Sequence, residues 1–441
     1  MKDTFILEWK HLWRTRSKVI ALLLFMALSL YAMNNGYAIY TKQSLESNEI
    51  LSAQEADFKT VSAWMDKEHK GPEGKDYVDI SETLWAIWYT PSWKVKQPSP
   101  MMVYSIGQSG NFGYYKKVME WSTIYDNDLI QEIANPEQLA ASYLDFGFAV
   151  LYLGPLLLII LLYNIKGFEQ DHHMIGLLKV QVNSFAKWLM ARISFYYLLV
   201  IATILFLMII YGGIAGVLLT NTWAFITFFI TVALYLLFWT VILSLIMAMN
   251  TGSTIKAVSM SAIWLVLAVL IPGSVHQWMA LSHPSSYMTE FLDAQRNGRN
   301  ELYAMYSFSQ DSLQKVLLDP KLELHQTLAG KDSLIEEPLI SNALPYLANR
   351  KTSKAAADIE KANEERNRLI QASYFFNPVT FFQNRLNAIC ETDYYAYKRF
   401  REQIQEIIDR RSEAKAKDSW NRITVDSQRL QYYKNYFNLQ E

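Results

Sequence analysis

The sequence predicts an α-helical multi-pass membrane protein that carries a mainly helical, partly β extracytoplasmic domain. The first observation behind this prediction is that Lys256 is the only formally charged residue between Arg192 and Glu290. A soluble domain of average composition would place charges throughout such a stretch. About 20 apolar residues are enough to cross a bilayer as a helix. The stretch therefore predicts three crossings in series.

The second observation is that the remaining apolar blocks alternate with long polar segments. Segments 41–145 and 282–441 are charged and aromatic, and together they are long enough to form a folded core. The formal net charge of −1 argues against a nucleic-acid partner held by phosphate contacts. The single cysteine, Cys390, excludes an intramolecular disulfide, and we interpret it as a small buried hydrophobe.

The amino terminus predicts a cytoplasmic amphipathic surface helix at 1–17, followed by the first crossing at 18–40. Phe5, Trp9, Leu12 and Trp13 share one face of this surface helix. A soluble helix packed on a partner is the alternative interpretation. No small-x-small cleavage site follows the apolar run, which favours a retained signal anchor over a cleaved signal peptide. The basic residues before the run place this end in the cytoplasm.

The first polar segment, 41–145, predicts an extracytoplasmic insertion. Residues 41–68 have a helical pattern and would extend the first crossing as a stalk. Short aromatic and β-branched runs within 76–115, namely 77–80, 84–89 and 101–106, predict a few strands. Asn135-Pro136 predicts a helix start before the membrane. The aromatic cluster of this segment, Trp85, Trp88, Tyr89 and Trp93, is either a binding surface or the core of a small domain.

The second crossing is predicted at 146–164, with a kink at Pro155 that neighbouring helices must accommodate. The loop at 165–192 carries Lys166, Lys179, Lys187 and Arg192, and these cations place it in the cytoplasm. Residues 193–281 hold the third to fifth crossings, with a second kink at Pro272. The tail, 282–441, then lies outside, where it can pack against the insertion.

The tail has a mainly helical pattern. Asn377 and Asp393 are predicted helix caps, and Thr352 or Ser353 is a third candidate.

The apolar blocks lack the chemistry of a self-powered transporter or an enzyme. Their centres hold no Asp, Glu or Arg, and the chain has no H-E-x-x-H, G-x-S-x-G or G-x-x-x-x-G-K-[ST] motif. We therefore predict no catalytic, cofactor-binding or metal-binding residues. If the protein drives transport, the energy must come from another chain.

The cytoplasmic loop contains the strongest candidate contact site. Residues 167–180 place acidic and polar residues first and apolar residues after, which predicts a short helix that docks in a groove of a soluble partner. The alternative is an interfacial helix that lies on lipid headgroups. The candidate residues of this coupling helix are Phe168, Glu169, Asp171, Met174, Gly176, Leu177 and Leu178.

Several patches of the chain resemble ABC-2 type permeases, particularly the DUF3526-like subfamily with a large extracytoplasmic insertion. The patches are the segment Asn135–Asp171, the opening FILEWKHLWRTR and the segment Asn377–Phe400. The resemblance implies a permease subunit that pairs with a second permease and with two cytoplasmic ATPases, which bind the ATP and magnesium. It also implies that closure of the ATPases is transmitted through the 167–180 helix.

Two departures from the family pattern stand out. The family's cytoplasmic motif usually reads Glu-Arg-Glu-x-Gly-Thr, whereas this chain has an insertion between Glu169 and Gly176. Family members usually have six crossings, whereas five are predicted here. We therefore expect that the native protein continues beyond Glu441 or that a sixth helix has been lost.

The favoured hypothesis is thus an ABC-2 type exporter permease of a bacterial inner membrane, with an unknown substrate. The alternative hypothesis is a non-transporting envelope module whose ectodomain binds a partner or relays a mechanical signal. A membrane enzyme with an extracytoplasmic active site is a third possibility, although no spacing in the sequence singles out a catalytic set.

Overall fold

The computed structural model describes residues 2–126, 144–182, 184–282, 287–308, 310–317 and 337–439, and these are mostly helical. The first half of the chain contains α1 (Lys2–Arg14), α2 (Arg16–Trp64), α3 (Thr83–Tyr89), β1 (Trp93–Val95), β2 (Tyr115–Lys117), α4 (Phe146–Leu162), α5 (Gly167–Asp171), α6 (Ile175–Gln181) and α7 (Phe185–Ile214). The second half contains α8 (Val217–Thr220), α9 (Thr222–Ala248), α10 (Ser253–Ser282), α11 (Tyr287–Phe308), α12 (Gln310–Leu317), α13 (Glu337–Ala372), α14 (Pro378–Ile389), α15 (Tyr394–Trp420) and α16 (Ser427–Phe437).

Among the described residues, four helices are long and apolar enough to cross a membrane, namely α2, α7, α9 and α10. Helix α4 is equally apolar but shorter. These five helices share one continuous core of buried aliphatic and aromatic side chains, which includes Tyr196, Phe228 and Trp239. Exposed apolar side chains such as Leu23, Phe206 and Leu245 cover the outside of this helix bundle. An apolar exterior of this kind is typical of helices that lie in lipid.

Helix α2 joins the first apolar block and the stalk into one element of 49 residues. At 1.5 Å per residue it is about 74 Å long, more than twice the thickness of a bilayer's hydrocarbon core. Its first part packs in the bundle, and its last part, around Phe58 and Val61, belongs to a separate core. The helix therefore links the bundle to a second unit, which we call the distal domain (residues 41–126, 287–308, 310–317 and 337–439).

The strands predicted within 76–115 are in the wrong places. Residues 83–89 form α3, and 100–103 form a 3-10 turn, whereas the antiparallel pair is made by β1 and β2. The run at 84–89 lacks the alternation of a half-buried strand. Within α3, Thr83, Ala86 and Ile87 are buried at helical spacing. The regular β structure of this part of the chain is thus limited to the antiparallel pair of β1 and β2.

The described parts of the two polar segments, 41–145 and 282–441, pack together, as expected from the sequence. The backbone N–H of Val425 donates to the carbonyl of Ser81 over 2.8 Å, and the Thr83 hydroxyl donates to the Ile423 carbonyl over 3.1 Å. Side chains of α2, α3 and α16 share one apolar core. The distal domain is therefore built from parts of the chain that the bundle helices separate in sequence.

Two of the three predicted caps in the tail are confirmed. The Asn377 side chain accepts from the N–H of Thr380 at the start of α14, and Asp393 accepts from the N–H of Ala396 at the start of α15. The third cap is wrong, because α13 already begins at Glu337, and the hydroxyls of Thr352 and Ser353 bond carbonyls within it. The predicted helix start at Asn135-Pro136 lies outside the described residues.

Candidate functional site

The first candidate site lies at the end of the bundle that carries α1. The segment predicted to be one coupling helix forms two, α5 and α6, because His173 adopts a positive φ of 57° between them. We call residues 163–182 the coupling segment. Its first half is buried against the bundle and its second half is exposed.

Arg192, the last cation before the uncharged stretch, fixes the first half of the coupling segment. Its guanidinium donates to Glu169 over 2.6 Å and to the carbonyl of Ile165 over 3.0 Å, and it also pairs with Glu8 of α1. All three charged side chains are largely buried, at 9% exposure for Arg192, 14% for Glu169 and 3% for Glu8. Buried charges are tolerated only when they are paired and hydrogen-bonded in this way.

Two further contacts bind the same half to α9 and α10. Lys166 donates to the carbonyls of Ala248 and Met249 at the end of α9, over 2.8 and 3.1 Å. Asp171 accepts from the backbone N–H and the hydroxyl of Ser253 at the start of α10. The coupling segment is therefore bonded directly to α7, α9 and α10, and Arg192 of α7 links it to α1.

The second half presents an apolar surface. Met174 is 49% exposed, Leu177 62% and Val180 88%, whereas Leu178 is half-buried. A Cβ added at Gly176 would meet nothing within 4 Å, which shows that this side of α6 is open. The side chain of Phe168 lies outside the described residues. Val180 was not among the residues predicted from the sequence, although this valine continues the apolar run.

The structure places the predicted acidic residues away from that surface. Glu169 is turned inward to Arg192, and Asp171 is bonded to Ser253. The loop cations that served as markers of the cytoplasm also have structural partners, since Lys166 and Arg192 are both buried. In the sequence, Lys166 and Arg192 each lie beside an apolar stretch. A cation at such a position can reach the carbonyls that end a helix, and this pattern could have predicted their structural contacts.

The second candidate site is the junction between the bundle and the distal domain. Residues 101–104 are fully buried, and the Tyr104 hydroxyl donates to the carbonyl of Met208 in α7 over 2.7 Å. A Cβ added at Gly36 of α2 would come within 2.6 Å of the Val103 carbonyl oxygen. The segment 99–107, which holds a 3-10 turn and no α-helix, thus inserts among the ends of the bundle helices, and we call it the inserted segment.

Asp145 is the centre of this junction. It caps α4 by accepting from the N–H of Phe148 over 2.7 Å, and it accepts from the N–H of Ile106 over 2.9 Å. The hydroxyl of Thr392 donates to the carbonyl of Ser105 over 3.1 Å, and this contact joins the tail to the same loop. The start of α4, the inserted segment and the tail are therefore held by one hydrogen-bond network.

Helix α14 extends the junction into the bundle. It contacts α9 and the π-helical turns of both α4 (Ala149–Leu153) and α10 (Val266–Leu270). The ring of Phe382 lies 5.0 Å from that of Tyr235 in α9. A cavity of about 470 Å³ opens beside α14, and its lining includes the amide and phenol groups of Gln371, Asn384 and Tyr374 as well as Leu151.

The two prolines that were predicted to kink their helices lie close to these π turns. Pro155 and Pro272 each come two residues after one, since the turns end at Leu153 and Leu270. The Tyr235 hydroxyl donates to the carbonyl of Leu151, for which Pro155 offers no N–H. π turns are frequent at functional sites.

The aromatic cluster divides between two roles. Trp85 and Tyr89 pack against the core shared by α2, α3 and α16, and Trp93 of β1 lies 6.2 Å from the ring of Tyr115. Trp88 is 45% exposed and lines a smaller cavity in the distal domain. Within the described ranges, no group of three or more His, Cys, Asp or Glu side chains is placed to hold a metal ion.

Comparison with protein families gives one match, and it falls on the tail. Residues 342–437 match the family model described as Domain of unknown function (DUF3526). This domain is found in ABC-2 type permease-like proteins. The matched region runs from within α13 to the end of α16, so it includes α14 and one wall of the larger cavity. Searches of curated proteins and of solved structures gave no match.

Proposed function

We propose that this chain is the permease subunit of an ABC-2 type exporter in a bacterial inner membrane. In this proposal α2, α4, α7, α9 and α10 are five crossings, the amino terminus is cytoplasmic, and the distal domain is extracytoplasmic. Separate ATPase subunits supply the energy, so that ATP and magnesium bind to them. A second permease subunit, identical or different, completes the pathway. The chain itself has no enzymatic role and no nucleic-acid partner.

The coupling segment is the observation that carries the proposal. It combines an exposed apolar surface, formed by Met174, Leu177 and Val180, with polar contacts to α7, α9 and α10. A partner that moves α6 would therefore displace several helices together. An interfacial helix resting on lipid would not require the charged contacts of Arg192 and Asp171.

The DUF3526 match and the junction support a distal domain that takes part in transport. Helix α14 of the matched region contacts the π turns of α4 and α10, and α4 leads directly into the coupling segment. We propose that movement of α4 reaches the distal domain by this route, and that the cavity beside α14 is where cargo is contacted. The nature of the cargo is outside the proposal.

A tagged full-length chain, purified in detergent from its native membrane, tests the assignment. We expect an ATP-binding subunit to copurify, and the double variant Leu177→Glu, Val180→Glu to reduce its recovery at least tenfold. The matched control is Leu219→Glu, because Leu219 is 91% exposed and lies in α8, between α7 and α9. Recovery that survives the double variant, or falls equally in the control, would contradict the assigned contact.

The contacts of α14 also favour the alternative of a mechanical relay without transport. Both proposals require the junction, but only the exporter requires a nucleotide-hydrolysing partner. Purified chain that carries distal-domain partners and no ATP-binding subunit would favour the relay.

A further inference from the structure

The distal domain buries an arginine without an acidic hydrogen-bond partner. Arg411 of α15 is 2% exposed. Its Nη atoms donate to the carbonyls of Ile87 and Thr90, over 2.7 and 2.9 Å, and to the hydroxyl of Ser92 over 2.6 Å. The guanidinium lies 4.9 Å from the ring centroid of Phe437. All of these partners are electrically neutral.

These neutral partners compensate the positive charge of Arg411 incompletely. Burial lowers the pKa of Arg411 to about 10, and Glu120, which opposes this effect, is hydrogen-bonded to Lys415 over 2.7 Å. The Nε atom of Arg411 is buried and has no hydrogen-bond partner among the described residues. Buried charges and buried N–H groups are normally both satisfied, whereas within the described part of the chain this guanidinium lacks one hydrogen-bond acceptor and a directly bonded negative charge.

A cavity of about 300 Å³ lies beside this side chain. Trp64, Trp88 and Tyr89 line it, and the rings of Trp64 and Tyr89 are 5.3 Å apart. Lys117 and Asp57 also line it, and both are exposed. The cavity thus joins aromatic walls to one buried cation, with one charge of each sign on exposed side chains.

We propose that this cavity, which we call the Arg411 pocket, binds a small ligand that joins a singly charged carboxylate to a planar apolar ring. The carboxylate faces the guanidinium of Arg411 at the wall of the cavity, and the ring packs against Trp64, Trp88 and Tyr89. One buried cation and the nearby Asp57 favour a single negative charge over the multiple charges of a phosphate. Arginine and carboxylate form strong charge-assisted hydrogen bonds. This inference does not depend on the proposed transport function.

The probes that test the pocket are 2-naphthoate and its neutral isostere 2-naphthamide. Calorimetric titration of the full chain in detergent at neutral pH should give at least tenfold tighter binding of the naphthoate. Trp88→Ala should weaken both probes. Lys117→Gln should weaken the naphthoate several-fold, whereas Asp57→Asn should tighten it. These variants leave Arg411 in place, because its loss would also free the carbonyls at the end of α3.

The matched control is Lys59→Gln, since Lys59 is an exposed cation of α2 that does not line the pocket. It should change neither affinity. Equal affinity for the two probes, or identical responses of Lys117→Gln and Lys59→Gln, would overturn the proposal.

Discussion

At the scale of single residues, the structure shows how a proline is accommodated within an apolar helix. Pro155 deprives the Leu151 carbonyl of its helical donor, and the Tyr235 hydroxyl of α9 replaces it. Trp264 of α10 donates to the adjacent Tyr152 carbonyl over 3.2 Å. The π turn of α4 is therefore supported by both neighbouring helices.

Replacement of this donor should be costly. We expect Tyr235→Phe to lower the free energy of unfolding by about 1–3 kcal/mol, because it leaves a buried carbonyl unsatisfied. Pro155→Ala restores an N–H, so the same change should cost less in that background. Thermal unfolding in detergent measures both effects.

The control for this prediction is Tyr197→Phe. The Tyr197 hydroxyl donates to the Ala233 carbonyl over 3.1 Å, but Leu237 still offers its N–H to that carbonyl within α9. The control should therefore cost less than Tyr235→Phe. Equal losses in the two variants would show that the proline-freed carbonyl has no special need for a donor.

The sequence identified the proline of α4 but not the side chain that compensates for it. Proline positions follow from local chemistry, whereas the choice of Tyr235 as donor depends on how α4 and α9 pack. The same holds for Arg192, which served only as a marker of sidedness in the sequence. Its pairing with Glu8 and Glu169 joins residues that are distant in the chain. The cap residues Asn377 and Asp393 were predictable because their partners are three residues away.

At the scale of elements, the inserted segment at 99–107 explains why α4 is short. The helix starts at Phe146, where Tyr104 and Phe228 already fill the space within the bundle. The run at 101–106 was predicted as a strand because its residues are apolar and β-branched. It is instead buried on every side, and therefore needs no alternation of apolar and polar residues.

The contact between the inserted segment and α2 should be sensitive to the addition of one methyl group at Gly36. A Cβ at position 36 would lie 2.6 Å from the Val103 carbonyl oxygen, which is backbone and cannot swing aside. We expect Gly36→Ala to destabilise the protein by about 1–3 kcal/mol through overpacking. Limited proteolysis should then cut within 99–107 more readily.

Gly213→Ala is the matched control, because a Cβ there meets nothing within 4 Å and alanine favours a helix. It should leave stability unchanged or slightly increased. If Gly36→Ala behaves like Gly213→Ala in thermal unfolding and proteolysis, the segment does not pack on α2 as described.

At the scale of the whole molecule, two ends are joined by α4. One end bears the coupling segment, and the other bears the junction with α14 of the DUF3526 region. The class of fold was predictable because the absence of charge over long stretches is a property of composition. The shape of the distal domain was not, since its core joins segments separated by the bundle helices. The split of the coupling helix at His173 was also hidden, because a positive φ is uncommon for any residue other than glycine.

The most direct measurement is photo-crosslinking in intact cells with a photoreactive amino acid in place of Leu177, and with the same residue in place of Leu219 as a control. Position 177 should form an adduct with an ATP-binding protein, whereas position 219 should not. Adducts with lipid alone at position 177, or the same adducts at both positions, would contradict it.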